Sequence, residues 1–413
     1  MLATEQRDLL RRLAGELAQI AARPEQAEKR EAWKALNGLR PQRLMVWITE
    51  IPWGEFEQDT DELRPQCDDP EMRRVEQQLR RKLFTARHLP CDEVVEAVWT
   101  VPLAVSGDDE GVQVKETQLP QGATHIRSHH YEPVIEDFPD IEKIQMPKVR
   151  HDEAETQARK AFLETFFGDA LSVEAAGPRR QWFNGWDRLV RWTGVTEALW
   201  GLVDRPDFIH ALMRRMTDAT LARLDQYEAL GLLGYPHPVP RVGSGGAGYT
   251  DELPPPGADP ARIRAMDQWG GATAQILGEV SPAMHEEFAL KYEIEVMERA
   301  GLNYYGCCEP LHNKMGLMAK VPRLRKVSIS AWCDVEKAAA TAERAYVFSH
   351  KPSPACFAAD RFDAARAEQD LRARLAQSGD MPCEVIMKDI STVRGDAQRL
   401  MDWCRLAHRV AHE

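Results

Sequence analysis

LNYYGCCEPLHNKMGLMAKVPRLRKVSISAWCDVEKAAATAERAYVFSH (residues 302–350) decides the fold. A short apolar run, LNYYGCC, leads into a helix-like stretch, PLHNKMGLMAKV. KVSIS then leads into DVEKAAATAERA. The same rhythm continues with AYVFS before FDAARAEQDLRARLAQ and EVIMK before DAQRLMDWCRLAHRVA. Four strand–helix units in succession imply parallel strands joined by crossovers. A doubly wound sheet and a closed (β/α)8 TIM barrel both satisfy that pattern. No GxGxxG follows a strand, which removes the main reason to choose a nucleotide-binding sheet. The expected fold is therefore an α/β barrel over residues 151–413, with earlier strands near ALSVEA (170–175) and LLGYPHPV (232–239). Residues 1–150 mix charged helices with extended pieces and are expected to form an N-terminal extension packed on the barrel. The proline-spaced stretch IEDFPDIEKIQMPKV closes that region.

In a barrel, chemistry gathers at the C-terminal ends of the strands. There the chain carries Cys307, Cys308 and Glu309, then Ser330, Trp332 and Asp334, then His350 and Lys351, and finally Lys388 and Asp389. Lysines at several strand ends that share one mouth point to a site more than to packing. The glycine-rich RVGSGGAGYTDELPPPG (241–257) brings Tyr249, Asp251 and Glu252. It lacks the GK[ST] of a phosphate loop and reads either as a surface turn or as an ordered lid over the mouth.

The Cys-Cys-Glu-Pro-Leu-His stretch has three open readings. The thiols can be inert core residues, a redox pair, or metal ligands. Thiolate, carboxylate and imidazole are a donor set that zinc prefers, so the metal set to test is Cys307, Cys308, Glu309 and His312. Strand alternation would put Cys307 and Glu309 on one face and Cys308 on the other. His312 would lie a turn further on.

The 413 residues carry a net charge of -12, with 43% hydrophobic and 29% charged residues, as in an ordinary globular protein. That balance argues against nucleic-acid partners. No apolar run has membrane-spanning length, the first residues lack a signal-peptide core, and the eight cysteines form no disulfide framework, so a cytoplasmic protein is expected.

Several stretches together resemble the uroporphyrinogen decarboxylase-like superfamily, in its branch of corrinoid-dependent methyltransferases, which includes O-demethylase systems. They are IPWGE (51–55), DELRPQCDDP (61–70), GSGGAGYTDELP (243–254), VSPAMHEEFALKYE (280–293), YYGCCEPLH (304–312), LRKVSISAWCDVEKAA (324–339), SHKPSPA (349–355) and KDIST (388–392). The resemblance implies a (β/α)8 barrel with a zinc that activates a methyl acceptor, or a pocket that polarises a methyl donor. The methyl group would pass to or from the cobalt of a cobalamin carried by a separate corrinoid protein. Well-known members carry a His-x-Cys metal motif at a strand end and a further Cys near the C-terminus. Here the matching strand reads Cys307-Cys308-Glu309 and the last strand ends in Lys388-Asp389.

The expected activity is methyl transfer from a small methylated donor, for example an aryl methyl ether, to that corrinoid. Zinc at Cys307 and Glu309, or the cations Lys351 and Lys388, would stabilise the departing oxyanion. Asp389 and Glu252 would position or protonate the leaving group, with Tyr249 beside them. The alternatives are a decarboxylase or other lyase on a small carboxylated substrate, and a non-catalytic binding protein. A homodimer is admitted by the same resemblance.

Overall fold

The C-terminal rhythm produces parallel strands in the order in which they occur. In the computed structural model, which describes residues 3–118, 129–237 and 241–413, the strands that build the site are β1 (Met45–Ile48), β2 (Val98–Pro102), β3 (Ser172–Ala176) and β4 (Trp269–Ala272). They continue with β5 (Leu302–Tyr305), β6 (Leu324–Ile329), β7 (Val347–His350) and β8 (Cys383–Met387). Six of them form one parallel sheet in the order β1-β8-β7-β6-β5-β4. β2 and β3 pair parallel with each other, and the chain just after β3 makes parallel bridges from Arg180 to Trp269 and from Phe183 to Ala272. The β2–β3 pair is a sheet of its own, and the two isolated bridges are what link the chain after β3 to β4. Among the described residues no ladder joins β2 to β1; the Asp92 amide donates to the Val46 carbonyl at 2.7 Å, and the Val46 amide donates to the Asp92 carboxylate at 2.7 Å.

Local chemistry sets the connecting helices. Asp334 caps the helix Val335–Ala342 by accepting from the Lys337 amide, and Asp363 caps Ala364–Gln377 through the Arg366 amide. Ser281 caps the helix that starts at Pro282, as its sequence predicts, although a π-turn at Glu286–Leu290 interrupts it before Met297.

Both β1–β8 and β2–β3 cross residue 150, so Met45–Ile48 and Val98–Pro102 pair with strands of the later part of the chain. Two expectations change. LLGYPHPV forms no strand over residues 232–237, and its remaining residues 238–239 lie outside the described part; the Gly234 amide donates to the Pro178 carbonyl and Pro236 interrupts any ladder. PLHNKMGLMAKV is helical only at Met315–Met318.

The first half of the glycine-rich loop is not a surface turn: Val242 and residues 244–249 are buried and Gly243 is half-buried, whereas Asp251, Glu252 and Gly257 are exposed. Gly243 takes φ +55, and a Cβ there would sit 2.4 Å from the Tyr304 ring. A Cβ on Gly246 would meet Trp33 at 2.2 Å. Glycine is needed because backbone and side chains meet there without room for a methyl group. Beneath the loop, Lys326 and Glu384 form a fully buried ion pair at 2.8 Å, and Glu384 also accepts from the Gly246 amide at 3.0 Å.

Candidate active site

The strand ends bring together a thiol–ammonium–carboxylate cluster. β5 stops at Tyr305, and Gly306, at φ +93, turns the chain so that Cys307 and Cys308 sit in the loop beyond it. Their sulfurs lie 3.6 Å apart. From β8, the Lys388 ammonium reaches between them, 4.0 Å from Cys307 Sγ and 3.7 Å from Cys308 Sγ. It also holds both Asp389 oxygens at 2.6 Å and lies 3.8 Å from Glu50, which follows β1. The Asp389 amide donates to Glu50 at 2.9 Å. Glu50 and Asp389 both take φ +57, a left-handed backbone that costs free energy for non-glycine residues and is found most often where function requires it. One cation therefore faces two thiols and two carboxylates.

Beside this cluster, Lys351 points inward from the end of β7. Its ammonium contacts Tyr304 Oη at 2.5 Å, Ser328 Oγ at 2.8 Å and the carbonyl and hydroxyl of Ser349. Ser328 also donates to the Cys307 carbonyl, at 2.5 Å, so the lysine and the thiol loop share a support.

Electrostatics follow from these distances. The hydrogen bond from the Cys308 thiol, aided by the charges of Lys388 and Lys351, outweighs burial, and the Cys307 pKa falls to about 7. Sharing its proton with Cys307 holds the Cys308 thiol protonated, with its pKa far above the usual range. Burial lowers Lys351 to about 7 although Cys307 and Glu384 favour its charge. Burial opposes the Lys388 ammonium too, but Cys307 and Asp389 hold its pKa above the ordinary value. Asp389 is drawn below the usual carboxylate range by Lys388 despite burial. The result is a thiol and an amine that change protonation in the same pH interval, beside a lysine that stays charged. Iodoacetamide should therefore alkylate Cys307 with an apparent pKa of about 7. An ordinary thiol titrates near 8.5. Mass mapping of the labelled peptide against pH checks this, and an apparent pKa above 8.5 would remove the activated thiol.

The other expected site residues are placed elsewhere. Glu309 is buried, and its carboxylate accepts from Thr273 Oγ1, the Ala274 amide and the Cys307 amide. It braces the thiol loop from behind, since the alternation expected of a strand ends at Gly306. His312 accepts from the Asp334 amide through Nδ1, assigning it to a loop contact. Glu252 pairs with Arg325, at the N-terminal end of β6, and so lies away from the mouth. Tyr249 donates to Glu96 ahead of β2, and burial with Glu96 beside it pushes its pKa up. Both are drawn to that side because the glycine loop dives through the interior. His350 faces outward to Ser378.

Among the described residues no three His, Cys, Asp or Glu side chains are gathered as a metal ion needs. The four residues expected to hold zinc do not converge, and Lys388 stands among the two thiols and Asp389 with its own positive charge. The residues do not fit the zinc. Glu50, Tyr304, Ser328 and Ser349 are not singled out by the sequence; an acid two residues beyond LMVWI is the available signal for Glu50.

A cavity of about 920 Å³ opens beside the cluster. Its lining includes Trp47, Trp99, Arg180, Arg241 and Tyr249 but none of the cluster residues. Arg241 connects the two: it donates to Thr49 Oγ1 at 2.5 Å and lies 3.7 Å from Glu50.

No family model and no curated protein matches the chain. In fold it is similar to a methyltransferase from Methanosarcina mazei, with 12% identity, a TM-score of 0.50, and 93% of this chain and 98% of that chain covered. Among the described residues no helix is long and apolar enough to cross a membrane.

Proposed function

We propose that the protein is a methyltransferase that moves a methyl group from a small methylated donor, such as an aryl methyl ether, to the cobalt of a corrinoid carried by a separate protein, on a (β/α)8 barrel. The observation that carries this reading is the Lys388 ammonium held among Cys307, Cys308, Asp389 and Glu50 at the C-terminal ends of parallel strands. The likeness in fold to a methyltransferase is in keeping with it.

A corrinoid supplies the nucleophile that accepts the methyl group. The protein must handle the other fragment, an oxygen that leaves with the bonding electron pair. Methyl ethers are poor leaving groups, so positive charge at the developing oxyanion is what the reaction lacks. Lys388 provides it from a preorganised position, with a side chain only 5% exposed. It can pass a proton to the oxygen and recover one through Asp389, whose side chain is 51% exposed and open to solvent. Lys351, held by three hydroxyls and a carbonyl, adds positive charge below its pKa of about 7. Trp332, in the loop beyond β6, is 78% exposed, an apolar surface at the rim for a docking protein.

The test is methyl transfer from methoxybenzoates or related ethers to cob(I)alamin, followed by the corrinoid absorption spectrum. Transfer should be slow with free cobalamin and at least about tenfold faster with a cognate corrinoid protein. Carbon dioxide release from a carboxylated substrate with no methyl transfer would install the decarboxylase reading instead.

A further inference from the structure

The cavity beside the cluster contains a charge without a counter-charge. Arg180 follows β3 and donates to the carbonyls of Arg241 and Gly243, so its guanidinium is fixed against the chain that enters the glycine loop. Among the described residues no carboxylate lies within ion-pair distance of it, and the charge that acts on it is the like charge of Arg241. Burial and that repulsion both disfavour its charged form. Arg241 contacts Thr49 and, more distantly, Glu50, and its Nε is buried with no hydrogen-bond partner. Two guanidiniums brought together in a recess, one without an acid and one with an unsatisfied donor, form an unstable arrangement unless an anion joins them.

The other charges of the cavity are largely paired. Glu96 meets Arg30 and Tyr249, Asp108 accepts from Tyr227, and the Lys29 ammonium reaches the Glu93 carbonyl. The rings of Trp47, Trp99 and Tyr249 also line the cavity, which has the size of a small-molecule site. Aromatic surface with a guanidinium pair at one end fits a flat apolar body that carries a planar anion. Guanidinium and carboxylate match in geometry because both present two atoms in one plane.

We propose that the Arg180–Arg241 end of the cavity binds the carboxylate of an aromatic acid. The ligand's carboxylate would lie against Arg241, which reaches Glu50, 3.8 Å from Lys388, so the carboxylate is the end that faces the cluster and the ring lies back among Trp47, Trp99 and Tyr249.

Isothermal calorimetry on the whole chain, with no corrinoid protein present, tests the site. Benzoate is the probe, benzamide its neutral counterpart and sulfate the control for a non-specific anion. Benzoate should bind at least about tenfold more tightly than benzamide or sulfate. Arg180→Gln should weaken benzoate about tenfold or more, and Arg180→Lys less, each with its melting temperature measured without ligand. Should Arg180→Gln fail to fold, Arg241→Gln carries the same expectation. Equal binding of benzamide, no benzoate binding up to ~10 mM, or unchanged affinity in both glutamine variants would overturn the proposal.

Discussion

Lys388→Met should lower the rate of methyl transfer about 100-fold to 1,000-fold, the loss usual when a preorganised group that stabilises a developing oxyanion is removed. Methionine keeps much of the stem and its packing but brings no charge to the two thiols and two carboxylates around Lys388. The fall should appear in kcat more than in KM, because an ether carries little charge on oxygen before the bond breaks. The same variant should raise the apparent pKa of Cys307 alkylation above about 7, since Lys388 is one of the cations that lower it. Lys351→Met should move that pKa in the same direction. A merely structural lysine would change stability and rate together and leave the alkylation profile in place. An unchanged profile with an unchanged rate would take Lys388 out of the mechanism.

Parts of this site are legible in the amino-acid sequence. Lys351, Lys388 and Asp389 follow apolar runs that alternate with helices, and parallel strands place such residues at one end of the sheet. Cys307 and Cys308 follow from the same logic. Their geometry does not, because one glycine at φ +93 ends the strand and cancels the alternation that sorts the faces. The glycine-rich loop misleads for a related reason. Glycines mark a surface turn and a close approach of buried backbone with the same letters, and only Trp33 and Tyr304, distant in sequence, tell the two apart. Tyr249 and Glu252 are misplaced along with it. The strands that precede residue 150 give a weak signal, since β1 is only four residues long and its partner β8 lies more than 300 residues away.

Lys326→Met should destabilise the fold by about 3–5 kcal/mol, because it leaves a buried carboxylate without its cation. Lys326 and Glu384 are both inaccessible to solvent, at 2.8 Å, and the lysine also lies over the rings of Trp33 and Trp269. Removing both charges with Glu384→Gln as well should recover part of the loss, since the glutamine carbonyl can still accept from the Gly246 amide. Denaturant unfolding of the two single variants and the double variant measures the coupling, and additive losses would show that the pair does not act as a unit. The effect should reach the site as well. Glu384 holds Gly246, and two residues earlier Ser244 meets Tyr304 Oη at 3.0 Å and donates to the Gly306 carbonyl. Tyr304 in turn holds Lys351. A loosened loop would let water reach Lys351, whose low pKa comes from burial, so that pKa should rise from about 7 toward the ordinary 10.5 of a lysine. In the Lys326→Met protein, at temperatures where it remains folded, the step that titrates with Lys351 should therefore move to higher pH. The same step left at its original pH would mean that the core ion pair supports the fold but does not tune the site.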